Sequence, residues 1–309
     1  MLLPVGNAVL QAPRKPPEPS TRPLIPVAAA ALAAAAGIGW LIQRRWKPPR
    51  APKQRAAQAL TAGAVILCFS VALDSGLEHY RGRFKNRLMF VGPSVALLGL
   101  ATAAYLTARP GEKLGRSPQI VFAVAGATGA AGLGFHLYNI LKRPGHLSAL
   151  NIFYAAPAGA PAALALAGVY GLVSRSSDSA KAAEFAAGLV AVSLIGTSAE
   201  AGILHFRGAF QNPAMYAPVV IPPITAISIG AAALSPRTSV VAEPLLKATA
   251  VLGIAGPILH AYGIHRNMGG WRNWSQMILQ GPPLPAPPAF LGIAVAGIGV
   301  LPLLEEAQR

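Results

Sequence analysis

The chain has 309 residues, of which 53% are hydrophobic and only 12% are charged. Soluble domains carry about 25% charged residues, so this composition argues against a soluble domain and indicates a membrane protein. The net charge of +16 is then expected to lie in loops that face anionic lipid headgroups, and nucleic-acid binding is not expected.

The N-terminal region contains a tail and a first hydrophobic run. Residues 1–23 are rich in proline and basic residues and are predicted to form a flexible tail. The uncharged run at 24–43 is long enough to cross a bilayer, which takes about 20 residues. The basic segment Arg44–Arg55 follows it directly. Residues 24–56 are therefore predicted to form a transmembrane helix and a cytoplasmic basic loop.

Eight further apolar runs follow at regular spacing. Because unpaired backbone groups are not tolerated in hydrocarbon, each run is predicted to be a transmembrane helix. The runs lie at 57–79, 88–107, 118–140, 150–173, 182–206, 215–234, 246–265 and 287–304. With the first run they predict an all-α, polytopic transmembrane helix bundle of about nine spans. Residues 265–287 form one long connection, predicted to be either a lid over one face or a plain interfacial connector.

Two sequence motifs each occur twice at almost the same separation. The windows Asp74–Met89 (DSGLEHYRGRFKNRLM) and Glu200–Met215 (EAGILHFRGAFQNPAM) share seven of sixteen residues at an offset of 126. Unrelated windows of that length share about one, so the match indicates an internal duplication. The windows Ala131–Lys142 and Ala255–Arg266 share five residues at an offset of 124.

The duplication predicts two tandem four-helix repeats, unit one at 57–175 and unit two at 176–309, with one extra N-terminal helix. An even number of spans gives both units the same orientation, so a pseudo-two-fold axis along the membrane normal is expected. The Arg44–Arg55 cluster assigns its own face to the cytoplasm. Together with the Ala, Gly, Pro and Arg bias of the chain, this predicts a bacterial cytoplasmic (inner) membrane protein in a lipid bilayer, with the repeated histidines at the periplasmic face.

Four histidines recur near the ends of these helices. A single histidine at a helix C-terminus most simply caps carbonyl groups, but four at matched positions favour a shared polar or cofactor-binding site. They are His79, His136, His205 and His260. Met89 and Met215 follow two of them by ten residues. These methionines are most simply packing residues, but with His79 and His205 they are also candidate ligands for copper or haem iron.

Carboxylates lie inside two of the predicted spans. Asp74 and Glu200 each precede a repeated histidine by five residues, and Glu78 adds a third acid. Carboxylates inside a membrane span are energetically expensive and are predicted to face the bundle interior as functional groups. Arg81 and Arg207 follow at the helix exits. They would snorkel to headgroups, pair with the intramembrane acids or hold an anionic group.

The helix exits also repeat small and polar residues. Gly82 and Gly208 are predicted to adopt a positive φ there, and Asn86 and Asn212 are predicted to cap the helices that follow.

Three functions stay open from the sequence. The first is a redox subunit that binds haem b or copper through the histidines and serves a periplasmic partner protein. The second is a transporter or channel built from parallel repeats, and the third is a non-catalytic membrane scaffold. The chain has no Cys-x-x-Cys motif and a single cysteine, which excludes covalently attached haem and intrachain disulfides. It has no GxSxG or GxxxxGK[ST] motif either, so catalytic residues and enzymatic activity are left unassigned.

Overall fold

The computed structural model describes residues 51–176, 179–235 and 238–307. The predicted tail at 1–23 and the predicted first span at 24–43 lie outside these ranges. Within them the chain is helical and contains no strand, which confirms the all-α prediction. The helices are α1 (Pro52–Arg81), α2 (Val91–Thr107), α3 (Arg116–Leu141), α4 (Ala149–Phe153), α5 (Gly159–Val173), α6 (Ser179–Arg207), α7 (Ala217–Leu234), α8 (Ser239–Asn267), α9 (Trp274–Gln280) and α10 (Pro288–Ala307).

Seven helices of the described ranges are long and apolar enough to cross a membrane: α1, α2, α3, α6, α7, α8 and α10. In two of them a 3₁₀ turn, Arg87–Phe90 before α2 and Pro213–Tyr216 before α7, extends the span. The protein therefore has the helices of a multi-pass membrane protein. The predicted total of nine spans is not reached in the part of the chain that the structure describes.

The predicted span at 150–173 is interrupted. Helix α4 ends at Phe153 and α5 begins only at Gly159, so α5 has 15 residues. At 1.5 Å per residue, α5 is about 22 Å long, shorter than the roughly 30 Å of the hydrocarbon core. Pro157 explains the break, because the residue before a proline is driven out of the helical region. The connection predicted at 265–287 also differs from the structure in its details. Helix α8 extends to Asn267, and the short helix α9 lies within the connection.

Four helices, α1, α5, α6 and α10, meet at the centre of the bundle, and we call them the central helices. Helix α1 packs against α2, α5 and α10, and α10 packs in turn against α6 and α8. The most extensive of these contacts joins α1 to α10, whereas α5 and α6 contact each other only slightly. Helices α2, α3, α7 and α8 lie outside this centre and expose large apolar side chains, such as Ile120 and Ile227, as expected of surfaces that face lipid.

Glycines allow the close approach of neighbouring helices. A Cβ atom at Gly129 of α3 would lie 2.6 Å from the carbonyl oxygen of Pro161 in α5. A Cβ atom at Gly63 of α1 would lie 2.6 Å from the carbonyl oxygen of Gly292 in α10. Small residues at such positions increase dispersion contacts between helices, which are a main source of helix association in lipid.

Candidate functional site

The two repeated windows end their helices with the same local structure. His79 Nδ1 lies 2.6 Å from the carbonyl oxygen of Met89, and His205 Nδ1 lies 2.8 Å from that of Met215. Because a carbonyl oxygen only accepts, Nδ1 carries the proton in both contacts. The Nε2 atom of each neutral ring is then left as an acceptor.

The positive backbone angles of these turns do not fall on glycine. Gly82 has a φ of −77°, and the left-handed residues are Arg83 and Phe84, with φ of 61° and 43°. In the second turn Ala209 and Phe210 have φ of 55° and 45°. The prediction of a positive φ at Gly82 and Gly208 is therefore wrong.

The glycines instead make room for methionine. A Cβ atom at Gly208 would lie 3.2 Å from the Met215 methyl group, and one at Gly82 would lie 3.9 Å from the Met89 methyl group. Each methionine thus packs over the glycine of its own turn. This contact gives a packing reason for the Gly and Met residues that recur in both windows.

The repeated asparagines begin the next helices. Asn86 Oδ1 accepts a hydrogen bond of 3.0 Å from the Leu88 amide, and Asn212 Oδ1 accepts one of 2.9 Å from the Ala214 amide. These bonds cap the 3₁₀ turns that lead into α2 and α7. A stacked ring pair accompanies each turn, Phe84–Phe90 in the first and Phe210–Tyr216 in the second.

Arg81, at the end of α1, donates hydrogen bonds to the connection between α8 and α10. Its Nε donates to the carbonyl oxygen of Ile278 at 3.0 Å, and its Nη2 donates to that of Gly281 at 2.9 Å. Its Nη1 also forms a 2.6 Å ion pair with Glu78. Arg81 therefore holds the connection between α8 and α10 against the end of α1.

Arg207, at the end of α6, makes the matching contacts in the connection between α3 and α5. Its Nη2 donates to the carbonyl oxygens of Phe153 and Ala155, the second at 3.3 Å. Each arginine thus binds the connection that precedes a central helix, α10 for Arg81 and α5 for Arg207. We call these two sets of bonds the reciprocal arginine contacts. Both arginines therefore donate to backbone carbonyl oxygens, a role that the sequence did not suggest.

Two of the four repeated histidines lie side by side. The ring centres of His205 and His260 are 6.3 Å apart, and His260 Nδ1 lies 3.0 Å from the carbonyl oxygen of Pro283. His136 lies beside the backbone of Pro157 and within electrostatic range of His79. All four histidines are half-buried.

The two intramembrane acids have different surroundings. Glu200 Oε2 accepts hydrogen bonds from the amides of Ala158 at 2.8 Å and Gly159 at 2.6 Å, at the start of α5. A carboxylate is stabilised there by the free amide groups and the helix dipole. Asp74 is only 8% exposed, and its Oδ1 has no hydrogen-bond partner among the described residues. Asp74 and Glu200 nevertheless lie within electrostatic range of each other.

Ligand geometry limits what the histidines could hold. In the part of the chain that the structure describes, no three His, Cys, Asp or Glu side chains come together as a metal site. Ligation by His79 with Met89 and by His205 with Met215 stays a prediction. A site of only two imidazoles, such as His205 with His260, has the right donor atoms for copper or haem iron.

A small cavity lies at the opposite end of the four central helices. It has a volume of about 20 Å³, room for about one water molecule, and is lined by the first turns of α1 and α6 and the last turns of α5 and α10, including Lys53, Ala183, Ser174 and Leu303. From Lys53 to Asp74, helix α1 rises by about 30 Å. The cavity and the acids therefore lie near opposite ends of the bundle.

Buried apolar side chains fill the bundle between the cavity and the acids. Fully buried examples from the central helices are Leu67, Tyr170, Leu194 and Ile293. The Tyr170 hydroxyl has no hydrogen-bond partner in the described part of the chain.

Arg175 is a further important polar residue, which the sequence marks only as one of the loop charges. Arg175 follows α5 and donates to the carbonyl oxygens of Glu112 at 3.0 Å, Ala57 at 3.1 Å and Leu106 at 3.0 Å. Burial lowers the pKa of the Arg175 guanidinium, and the Glu112 carboxylate opposes that shift. Arg175 therefore joins the ends of α2 and α5 to the start of α1. No repeat or motif marks it in the sequence.

Comparison with protein-family models, with curated proteins and with solved structures finds no match to this chain.

Proposed function

We propose that the protein is a membrane transporter for a small cation, built from two parallel four-helix units at 57–175 and 176–309. The observation that carries this proposal is the buried Asp74 carboxyl group, whose Oδ1 has no hydrogen-bond partner among the described residues. An intramembrane carboxylate is costly and typically marks an ion or proton pathway.

Matched contacts in the two units support the duplication. The Nδ1–carbonyl bonds, asparagine caps and reciprocal arginine contacts occur once in each unit. The helix seams match too: a Cβ at Gly129 would lie 2.8 Å from Ala165 Cα, and one at Gly253 would lie 2.9 Å from Leu291 Cα. Parallel repeats of this kind occur in transporters, whose substrate sites lie between the repeats.

The route of the cation follows from the central helices. The same four helices that surround the cavity at one end bring Asp74 and Glu200 within electrostatic range of each other near the other end. Buried apolar side chains between the two ends, such as Leu67 and Ile293, argue against a continuous pore. A transporter that rocks its two units against each other would open each end in turn. The contact between α5 and α6 is slight, so this motion would pivot on the extensive contact between α1 and α10.

Flux measurements in proteoliposomes test the proposal. Vesicles with an entrapped pH-sensitive or sodium-sensitive dye receive an ion gradient, and a potassium ionophore clamps the potential. We expect flux of one of these cations with the parent protein and loss of it in the double variant Asp74→Asn/Glu200→Gln. Glu184→Gln, which removes an exposed carboxylate from α6, is the matched control and is expected to keep the flux.

Two results would overturn the proposal. One is parent protein that moves neither cation faster than protein-free vesicles. The other is a folded double variant that transports as well as the Glu184→Gln control.

A second candidate, a redox subunit, rests on the His205–His260 pair. Two imidazoles bound to one ion through metal–nitrogen bonds of about 2 Å would have ring centres about 6 Å apart. The observed separation is 6.3 Å, and both Nδ1 atoms bond to carbonyl oxygens, as is usual for metal-ligating histidines.

The visible spectrum and metal content of protein from copper- and haem-supplemented cells test this candidate. A haem band or one copper per chain, lost in His205→Ala/His260→Ala, would support the redox function. Colourless and metal-free protein would eliminate it.

A further inference from the structure

The two intramembrane acids occupy matched positions but meet different backbones. Glu200 accepts from the Ala158 and Gly159 amides at the start of α5. The corresponding segment of unit two, before α10, has the sequence Gly281–Pro288 (GPPLPAPP), in which five of eight residues are prolines. Pro285, at the position that matches Gly159, has no amide hydrogen, so this segment cannot offer Asp74 the same pair of donors that Glu200 has.

That proline-rich segment presents acceptors to α1. Its Pro285 carbonyl oxygen accepts a 2.5 Å hydrogen bond from the Ser70 hydroxyl, one helical turn before Asp74 and on the same helix face. The Gly281 carbonyl oxygen accepts from Arg81, about two turns after Asp74. An ionised Asp74 would only add a further acceptor next to these oxygens. A protonated carboxyl group would supply the donor that this environment lacks.

Among the described residues, no ion pair compensates a charge on Asp74. The charged groups that act on it are Glu78 and Arg81 on its own helix and Glu200 from α6. Arg81 is already bonded to Glu78 and to two carbonyl oxygens, and Glu200 adds a like charge.

We infer that Asp74 is the proton-binding group of this site, and that Glu200 is a fixed carboxylate that caps α5. The inference rests on the proposed transport function and names its cation as the proton. Asp74 takes up one proton from the aqueous face to become a neutral carboxylic acid and gives it back when the site opens to the other side. A metal cation is not favoured, because amide groups already bind Glu200 and, among the described residues, no three His, Cys, Asp or Glu side chains come together as a metal site.

Infrared difference spectroscopy of the full chain in lipid tests the assignment without requiring transport. The stretching band of a protonated carboxyl group is followed while the pH is raised, first without and then with sodium. We expect a band that disappears on deprotonation, that is missing in Asp74→Asn, and that persists in Glu200→Gln and in the control Glu184→Gln. In proteoliposomes, proton flux is expected to fall to the protein-free rate in Asp74→Asn and to persist in Glu200→Gln.

The outcomes separate the two proposals. A titrating band that belongs to Asp74, in a protein that moves no cation, keeps the assignment and refutes transport. Transport that is abolished in a folded Glu200→Gln variant, or a carboxyl band that survives Asp74→Asn, refutes the assignment and keeps transport. A band that sodium removes at constant pH would also refute the assignment, because sodium would then be the ion bound.

Discussion

A methyl group added to α3 should have opposite effects at two glycines that lie five residues apart. At Gly129, a Cβ atom would lie 2.6 Å from the Pro161 carbonyl oxygen and 2.8 Å from Ala165 Cα. These are backbone atoms of α5, which cannot rotate away, so the two helices must separate. At Gly134, a Cβ atom meets no heavy atom within 4 Å in the described part of the protein.

The expected magnitudes follow from two competing effects. Replacing glycine by alanine inside a helix stabilises it by about 0.5–1 kcal/mol. Overpacking at a close contact costs about 1–3 kcal/mol. Gly134→Ala should therefore raise the free energy of unfolding by about 0.5–1 kcal/mol. Gly129→Ala should lower it by about 1–2 kcal/mol after the gain in helix propensity is subtracted, which corresponds to a melting temperature lower by about 2–8 °C.

The single cysteine provides the assay. Cys68 is fully buried in α1, so a fluorogenic maleimide should react with it only as the protein unfolds in detergent. Heating parent and variants with this dye gives the melting temperatures. Equal shifts for Gly129→Ala and Gly134→Ala, or a stabilised Gly129→Ala, would refute the close packing of α3 on α5.

Two further predictions concern arginines that bind backbone carbonyls. Arg175→Gln should lower the free energy of unfolding by about 2–4 kcal/mol in the same dye assay, because several carbonyl oxygens lose a charged donor, and Arg175→Lys should lose less. An Arg175→Gln variant that melts with the parent would show that these bonds contribute nothing. Arg81→Ala should speed amide hydrogen exchange in the 268–287 connection, and Arg207→Ala should do so in the 142–158 connection. The reciprocal arginine contacts would be contradicted if Arg81→Ala sped exchange in the 142–158 connection and Arg207→Ala sped it in the 268–287 connection.

The helices could be predicted from the sequence because long apolar runs leave the backbone no alternative in lipid. The exception, the break before Gly159, has a cause that the sequence contains: Pro157 stands in the first third of the run predicted at 150–173. The prediction failed because a proline near a helix start is tolerated in the first turn, and the sequence does not tell that case from a true break.

The site was predictable only in part. The repeats drew attention to Asp74, Glu200 and the four histidines, because internal repetition marks positions without any knowledge of contacts. It could not show that Glu200 has two amide donors and Asp74 none, since these donors lie in other helices. Arg175 could not be found at all, because its partners come from three distant segments and no local pattern encodes them.

The reciprocal arginine contacts bear on how such a chain could have originated. A single four-helix ancestor that paired with a second copy of itself would have made both contacts by symmetry, each subunit holding the other's connection. Fusion of the two genes would then have freed the copies from having identical sequences. The prolines before α10 could accumulate in one copy alone, and the homodimer's two equal carboxylates could become one anchor and one exchangeable group.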